Sequence, residues 1–184
     1  MWDSFCFMPM SEPVKIIRAG LDDALDILEL SRKTFIETYY EVSDKIQVLK
    51  FLDTHLTLQK IREDLQNPSI LFYIARKGLQ SMGVLKIIEN APAKGLENKK
   101  CLLLDKLYVL KEYHRKKIGS DLMDLVKQHA ADNGFQVIWL QVWQKNLTAI
   151  KFYQVGGFVV YDTCLFEYYE EPEHDFLLKY ELYN

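Results

Sequence analysis

Apolar and polar positions alternate along this chain with two different periods, and the switches between them mark out its elements. Val14 to Arg18 reads as a short first strand, closed by Ala19-Gly20. Asp22 and Asp23 then stand where a helix first turn favours acids, and Ala24, Leu28, Ser31, Phe35 and Thr38 mark one face of a helix to about Tyr40. Two shorter helices follow, Asp44 to Leu56 and Leu58 to Leu65, stopped by Asn67-Pro68. Ile70 to Ala75 and Met82 to Ile88 flank Lys77-Gly78 and read as an antiparallel hairpin, and polar residues 90–100 with Pro92 and Gly95 make a loop.

The next stretch organises the rest. Leu102 to Leu110 reads as a strand whose apolar run is broken only by Asp105 and Lys106. His114, Arg115, Lys116 and Lys117 stand directly ahead of Ile118-Gly119-Ser120, where helical spacing begins through Leu122, Leu125, Val126 and His129. A basic turn feeding a helix start is an anion trap, because the first amides lack partners and the dipole end is positive. A charged surface loop ahead of a core helix is the other reading. Asn133-Gly134 ends the helix, and Val137 to Trp143 is another buried strand. Asn146 caps a helix carrying Ala149, Phe152 and Tyr153, which Gly156-Gly157 terminates. From Phe158 two more strands surround a turn at Glu170 to Glu173. The order is strand, helices, two strands, strand, helix, strand, helix, two strands. Regular alternation is confined to the middle, so a mixed sheet covered by helices is expected rather than a doubly wound parallel one.

Composition narrows the function classes. The chain has 184 residues, 49% hydrophobic, which suits one domain with a sizeable core. A loose leader over residues 1–13 and a single domain over 14–184 are expected. A net charge of −3 is too mild for general attraction to nucleic acid. Cys6, Cys101 and Cys164 lack CxxC spacing and suggest neither a disulfide framework nor zinc. The first residues do not read as a signal peptide and no apolar run of about 18 residues occurs, so a cytoplasmic protein without membrane partners is expected. The motifs GxSxG, HExxH, GxxxxGK(S/T) and GxGxxG are missing, and the four histidines lack metal-ligand spacing, so no metal is expected. Asn146-Leu147-Thr148 matches a glycosylation sequon without the secretory context that would use it, and His129 reads as a satisfied core residue.

HRKKIGSDLM, followed about 30 residues later by NLTAIKFYQVGGF, resembles the paired acetyl-CoA motifs of the GNAT N-acetyltransferase superfamily. The resemblance runs from Val14 to Leu182. More narrowly, IWLQVWQKNLTAIKFY, the late EPEHDFLL and TFIETYY (Thr34 to Tyr40) look like bacterial spermine/spermidine acetyltransferases of the PaiA type. The resemblance implies an α+β, three-layer fold with a mixed, mostly antiparallel seven-stranded twisted sheet flanked by helices. It also implies acetyl-CoA as cosubstrate, a small-molecule amine as acceptor, and a homodimer, as many relatives form. Main-chain groups of Leu107, Tyr108 and Val109 would hold the pantetheine arm, and a backbone N–H there would polarise the acetyl carbonyl. Arg115, Lys116, Lys117, Ile118, Gly119 and Ser120 would wrap the pyrophosphate, with Asn146 and Phe152 on the cofactor side. Tyr153 falls on the general acid that protonates the departing thiolate, a sensible use of a phenol.

The chain departs from the family turn, usually Gln/Arg-x-x-Gly-x-Gly/Ala, by placing His114 at its start and Lys117 at its first glycine. Lys117 is therefore expected in an ordinary conformation, compensating with charge. Acetyl transfer is expected to be direct, with Glu37, Asp105 or water taking the amine proton. Glu37 is preferred because the first helix of this fold lines the acceptor side, although it also reads as a solvated charge; Asp105 also reads as an ion-pair partner of Lys106. Residues 161–184 hold seven acids against Lys179, a formal −6, which would attract a polyamine such as spermidine or spermine. Phe35, Tyr39 and Tyr40 offer cation–π faces or core packing. A protein or antibiotic amine as acceptor, or a non-catalytic acetyl-CoA sensor, are the alternatives.

Overall fold

The computed structural model describes residues 12–166 and 173–182. All of the expected leader but its last two residues, and most of the expected turn before the final strand, lie outside the described residues.

Among the described residues seven strands form one sheet: β1 (Lys15–Arg18), β2 (Ile70–Lys77), β3 (Gln80–Glu89), β4 (Cys101–Val109), β5 (Val137–Trp143), β6 (Val159–Phe166) and β7 (Glu173–Glu181). Their spatial order is β1-β2-β3-β4-β5-β7-β6. Every neighbouring pair is antiparallel except β4 with β5. The helices are α1 (Ala24–Tyr39), α2 (Lys45–His55), α3 (Leu58–Gln66), α4 (Ile118–Asp132) and α5 (Leu147–Val155). The expected mixed, mostly antiparallel sheet with flanking helices is therefore the observed one.

Local chemistry accounts for the boundaries. Asp44 accepts the Gln47 N–H at the start of α2, Thr57 accepts that of Lys60 at α3, and Asn146 accepts that of Ala149 at α5, satisfying amides the helices leave open. Gly134 (φ 65°) follows α4, where a left-handed residue closes a helix without a Cβ penalty. The first helix opens differently from expectation. Leu21–Asp23 form a 3-10 turn in which Asp23 accepts the Gly20 N–H at 2.8 Å, and α1 starts one residue later. Its buried stripe is Ala24, Ile27, Leu30, Ser31, Thr34 and Phe35, wider than the predicted face because α2 and α3 pack against it as well as the sheet.

The main core lies around β2, β3, β4 and β5, where Phe72, Ile74, Leu85, Ile87, Leu102, Ile138 and Leu140 are almost wholly buried with Leu122 of α4 and Ile27 of α1. A smaller cluster of Phe35, Val48, Leu52 and Leu56 ties α2 to α1. Arg32 reinforces it by donating to the carbonyls of Leu52 and Leu56 and pairing with Asp53.

One relationship in the sheet positions everything that follows. β4 and β5 pair only at Cys101–Val137, Leu102–Ile138 and Leu103–Trp139, then part. Beyond that point, residues 104–109 of β4 lose the ladder on their β5 side, which leaves a wedge with main-chain donors and acceptors on its wall.

Candidate active site

Three elements converge at the wedge. α4 starts beside the end of β4, and its first intrahelical bond is from the Asp121 N–H to the Lys117 carbonyl. The amides of Ile118, Gly119 and Ser120 come before that bond, and no hydrogen bond to them is found among the described residues. A Cβ built on Gly119 would lie 3.5 Å from the Phe152 ring and 3.9 Å from Leu107, so β4, α4 and α5 meet at this glycine. Arg115, Lys116 and Lys117 are exposed and have no carboxylate partner among the described residues. Open amides, three uncompensated cations and a small residue at closest approach suit a pyrophosphate.

The turn itself corrects one expectation. Lys117 does not adopt an ordinary conformation: it sits in the left-handed region at φ 66°, and Arg115 does so at φ 61°. Holding those dihedrals costs about 1 kcal/mol or more for each non-glycine. His114 is tied back to the strand, its Nε2 2.8 Å from the Val109 carbonyl oxygen. A carbonyl only accepts, so Nε2 carries the proton.

Tyr153 lies on α5 next to Phe152, with ring centroids 5.4 Å apart, and packs against Phe158 at 5.8 Å. Burial pushes its phenol above the usual range, because the phenolate would lose hydration there. Asn146 has its side-chain oxygen on the Ala149 N–H at 3.1 Å, so it orders the turn into α5.

On the far side of β4 lies a cavity of about 580 Å³ with two unlike walls. One is aromatic: His55 stacks on Phe51 at 4.6 Å, Phe51 on Phe35 at 4.7 Å, and Tyr39 lies 4.4 Å from Phe35 and 5.5 Å from Trp143. Burial, aided by Lys60, pulls the His55 pKa down. Tyr40 stays off this wall and carries Lys45 over its ring. The other wall is ionic. Lys86 Nζ lies 2.8 Å from Asp64 and 3.1 Å from Asp105, and Lys106 Nζ lies 2.9 Å from Asp105. Burial works against the Asp105 carboxylate, but Lys106 and Lys86 outweigh it and hold the pKa at about 2. Asp105 is thus the ion-pair partner that one of its two readings expected, shared between two lysines.

Asp175 of β7 is 5% exposed, faces Trp143 across the β5–β7 ladder and accepts from Gln141 Nε2 at 2.8 Å. It lines the cavity together with Glu63. Of the other described acids in the tail, Asp162 pairs with Lys94, and Glu181 with Lys99 and Lys179, so the expected acidic field is locally neutralised there. Glu173 and the acids between 167 and 171 lie outside what is described of side chains. Glu37 is exposed and does not line the cavity; its Oε2 accepts the Lys111 N–H at 2.9 Å. His129 meets Glu89 at 2.8 Å as a satisfied, half-buried residue.

Lys86, Asp64 and His55 were not singled out from sequence, whereas Asp175 stood among the seven acids of the tail and within EPEHDFLL. Of those three, only Lys86 carried a signal: a lysine inside the apolar run Met82 to Ile88 must find carboxylates if the strand is buried. Among the described residues no group of side chains suits a metal, and no helix is long and apolar enough to cross a membrane.

Comparison with known proteins agrees with this architecture. Residues 26–158 match the acetyltransferase (GNAT) family. An uncharacterized N-acetyltransferase in the pepI 3'region of Lactobacillus delbrueckii subsp. lactis is 25% identical over 172 residues, covering 90% of this chain and 96% of that one. A spermidine N(1)-acetyltransferase of Thermoplasma acidophilum is 24% identical over 166 residues, covering 88% and 98%. Among solved structures, the PaiA N-acetyltransferase of Thermoplasma acidophilum in complex with coenzyme A has a TM-score of 0.76 at 21% identity, over 92% of this chain and 99% of that one. At that identity the likeness establishes the fold, while the family match spans most of the chain. The chain belongs to the acetyltransferase (GNAT) family and is an acetyl-CoA-dependent N-acetyltransferase.

Proposed function

We propose that this protein acetylates a primary, aliphatic amine of the polyamine type held in the cavity beside β4. The observation that carries the reading is a buried carboxylate, Asp175, that lines the cavity opposite Trp143 on the β5–β7 ladder, with Tyr39 against Trp143. A carboxylate supplies charge and the ring faces supply cation–π attraction, a combination suited to an ammonium group. The cavity's four acids and three lysines nearly balance, so attraction comes from this local pair rather than from a broad field. The spermidine acetyltransferase of Thermoplasma is a relative that points the same way.

Acetyl-CoA supplies the activated thioester. Arg115, Lys116, Lys117 and the amides of Ile118, Gly119 and Ser120 take its pyrophosphate, as suits cations without a carboxylate partner among the described residues. The β4 main chain at Leu107, Tyr108 and Val109 holds the pantetheine arm, and Phe152 packs beside it. A β4 backbone N–H polarises the acetyl carbonyl as the amine attacks. Tyr153, kept protonated by burial, gives its proton to the leaving thiolate. Asp105, with a pKa of about 2, binds a proton too weakly to act as general base, and the amine proton passes to solvent. A cytoplasmic setting, with Cys101 and Cys164 as free thiols, belongs to the same proposal.

The test is thiol release from acetyl-CoA with spermidine, spermine, short peptides and aminoglycosides as acceptors. Turnover confined to polyamines is the expected result. Turnover on peptides or aminoglycosides alone would reject the acceptor class, and CoA binding without turnover on any amine would leave a sensor.

A further inference from the structure

The turn that leads into α4 runs through two strained residues. Arg115 and Lys117 are two of three non-glycine residues with positive φ among those described; the third, Asn90, is of a type that tolerates it. Strain of this kind persists only where the surroundings enforce it. The buried helix start at Ile118 anchors one end of the turn. The other end is anchored from α1.

Glu37 Oε2 accepts the Lys111 N–H at 2.9 Å, and four residues earlier Lys33 reaches Glu112 at 3.3 Å. The Tyr113 N–H returns to Leu110, and His114 closes back onto the Val109 carbonyl. Residues 109–114 are thereby held as one piece up to the first strained residue. Glu37 is exposed, so no need to satisfy a buried group explains this bond. Its effect is to fix where the turn begins.

We propose that Glu37 is a positioning residue for the phosphate turn: by holding Lys111 it presets dihedrals that glycine would adopt unaided. This rests on the reading of residues 115–120 as the acetyl-CoA phosphate site. It gives Glu37 a different role from proton acceptance, and the two roles differ in what they require. A hydrogen-bond acceptor survives replacement by Gln, whereas a base does not. Loss of the tether matters less if position 117 is glycine, which enters the left-handed region without strain.

The experiment measures CoA affinity by calorimetry and steady-state kinetics on the full chain for wild type, Glu37→Gln, Glu37→Ala, and Glu37→Ala combined with Lys117→Gly. Glu37→Gln stays near wild type. Glu37→Ala raises the CoA Kd and the acetyl-CoA KM about 10-fold while kcat stays within about 2-fold. Lys117→Gly measured alone is the reference for its lost charge, and in that background Glu37→Ala changes both by less than about 2-fold. An unchanged Kd in Glu37→Ala overturns the proposal, as does an equal rise in the Lys117→Gly background. Equal loss of kcat in Glu37→Gln and Glu37→Ala would make the carboxylate the base instead. If wild type itself does not bind CoA, the phosphate-site reading falls, and this inference falls with it.

Discussion

Gly83 of β3 lies so close to β4 that a Cβ on it would stand 2.9 Å from the backbone oxygen of Tyr108. The obstacle is main chain, so no rotamer change relieves it. Val109 Cγ2 and Ile118 Cγ2 close the same space at 3.3 and 3.5 Å. Gly83→Ala must therefore push β4 at the segment that borders the wedge. We expect a loss of about 1–3 kcal/mol in urea unfolding, together with weaker CoA binding. Wild-type stability in this variant would show that the strand yields freely there.

Asp105 links stability to acid. Its pKa is about 2 in the folded chain against an ordinary 3.8, a depressed value. Its contribution is therefore fully present above about pH 4 and disappears as pH falls from 4 towards 2, amounting to about 2 kcal/mol at neutral pH. Urea unfolding of wild type and Asp105→Asn across that range should give curves that converge at the acid end. Curves separated by a constant gap would mean that the lysines do not hold the carboxylate. Lys86→Met, which leaves Asp64 and Asp105 facing each other without their shared cation, should cost about 3 kcal/mol at pH 7.

Tyr153→Phe keeps the ring that packs against Phe152 and Phe158 and removes only the hydroxyl. Folding and CoA affinity should be preserved while kcat falls about 10²-fold. Because burial raises the phenol's pKa above its ordinary 10.0, kcat should show no alkaline loss from this group between pH 7 and 10. An unimpaired Phe variant would remove Tyr153 from the chemistry.

Asp175→Asn retains an oxygen for Gln141 and removes the charge. The KM for a polyamine should rise about 10-fold with the acetyl-CoA KM unchanged. A loss confined to acetyl-CoA would place Asp175 on the cofactor side.

The helices and strands were readable in the sequence because their signals are local. Asp44, Thr57 and Asn146 cap the helices they precede, and Val137–Trp143 is a strand over the very residues its apolar run marks. The basic turn ahead of Ile118 was readable for the same reason, since charge and helix start are adjacent in the chain. Its conformation was not. Lys117 carries side-chain preferences that favour right-handed dihedrals, and contacts between residues distant in the chain hold it at φ 66° instead.

By itself the sequence determined the element order, the mixed sheet, the basic helix start and the family to which they belong. Tertiary structure alone decided where β4 and β5 part, that Lys86 joins Asp64 to Asp105 across three elements, and that Asp175 faces Trp143. It also decided that Glu37 holds Lys111, 74 positions away, rather than facing the cavity. Capping, periodicity and turn chemistry act between residues a few positions apart, so a linear reading contains them. Ion pairs and cavity walls join residues that only the closed sheet brings within 3 or 4 Å, and no local pattern encodes that distance.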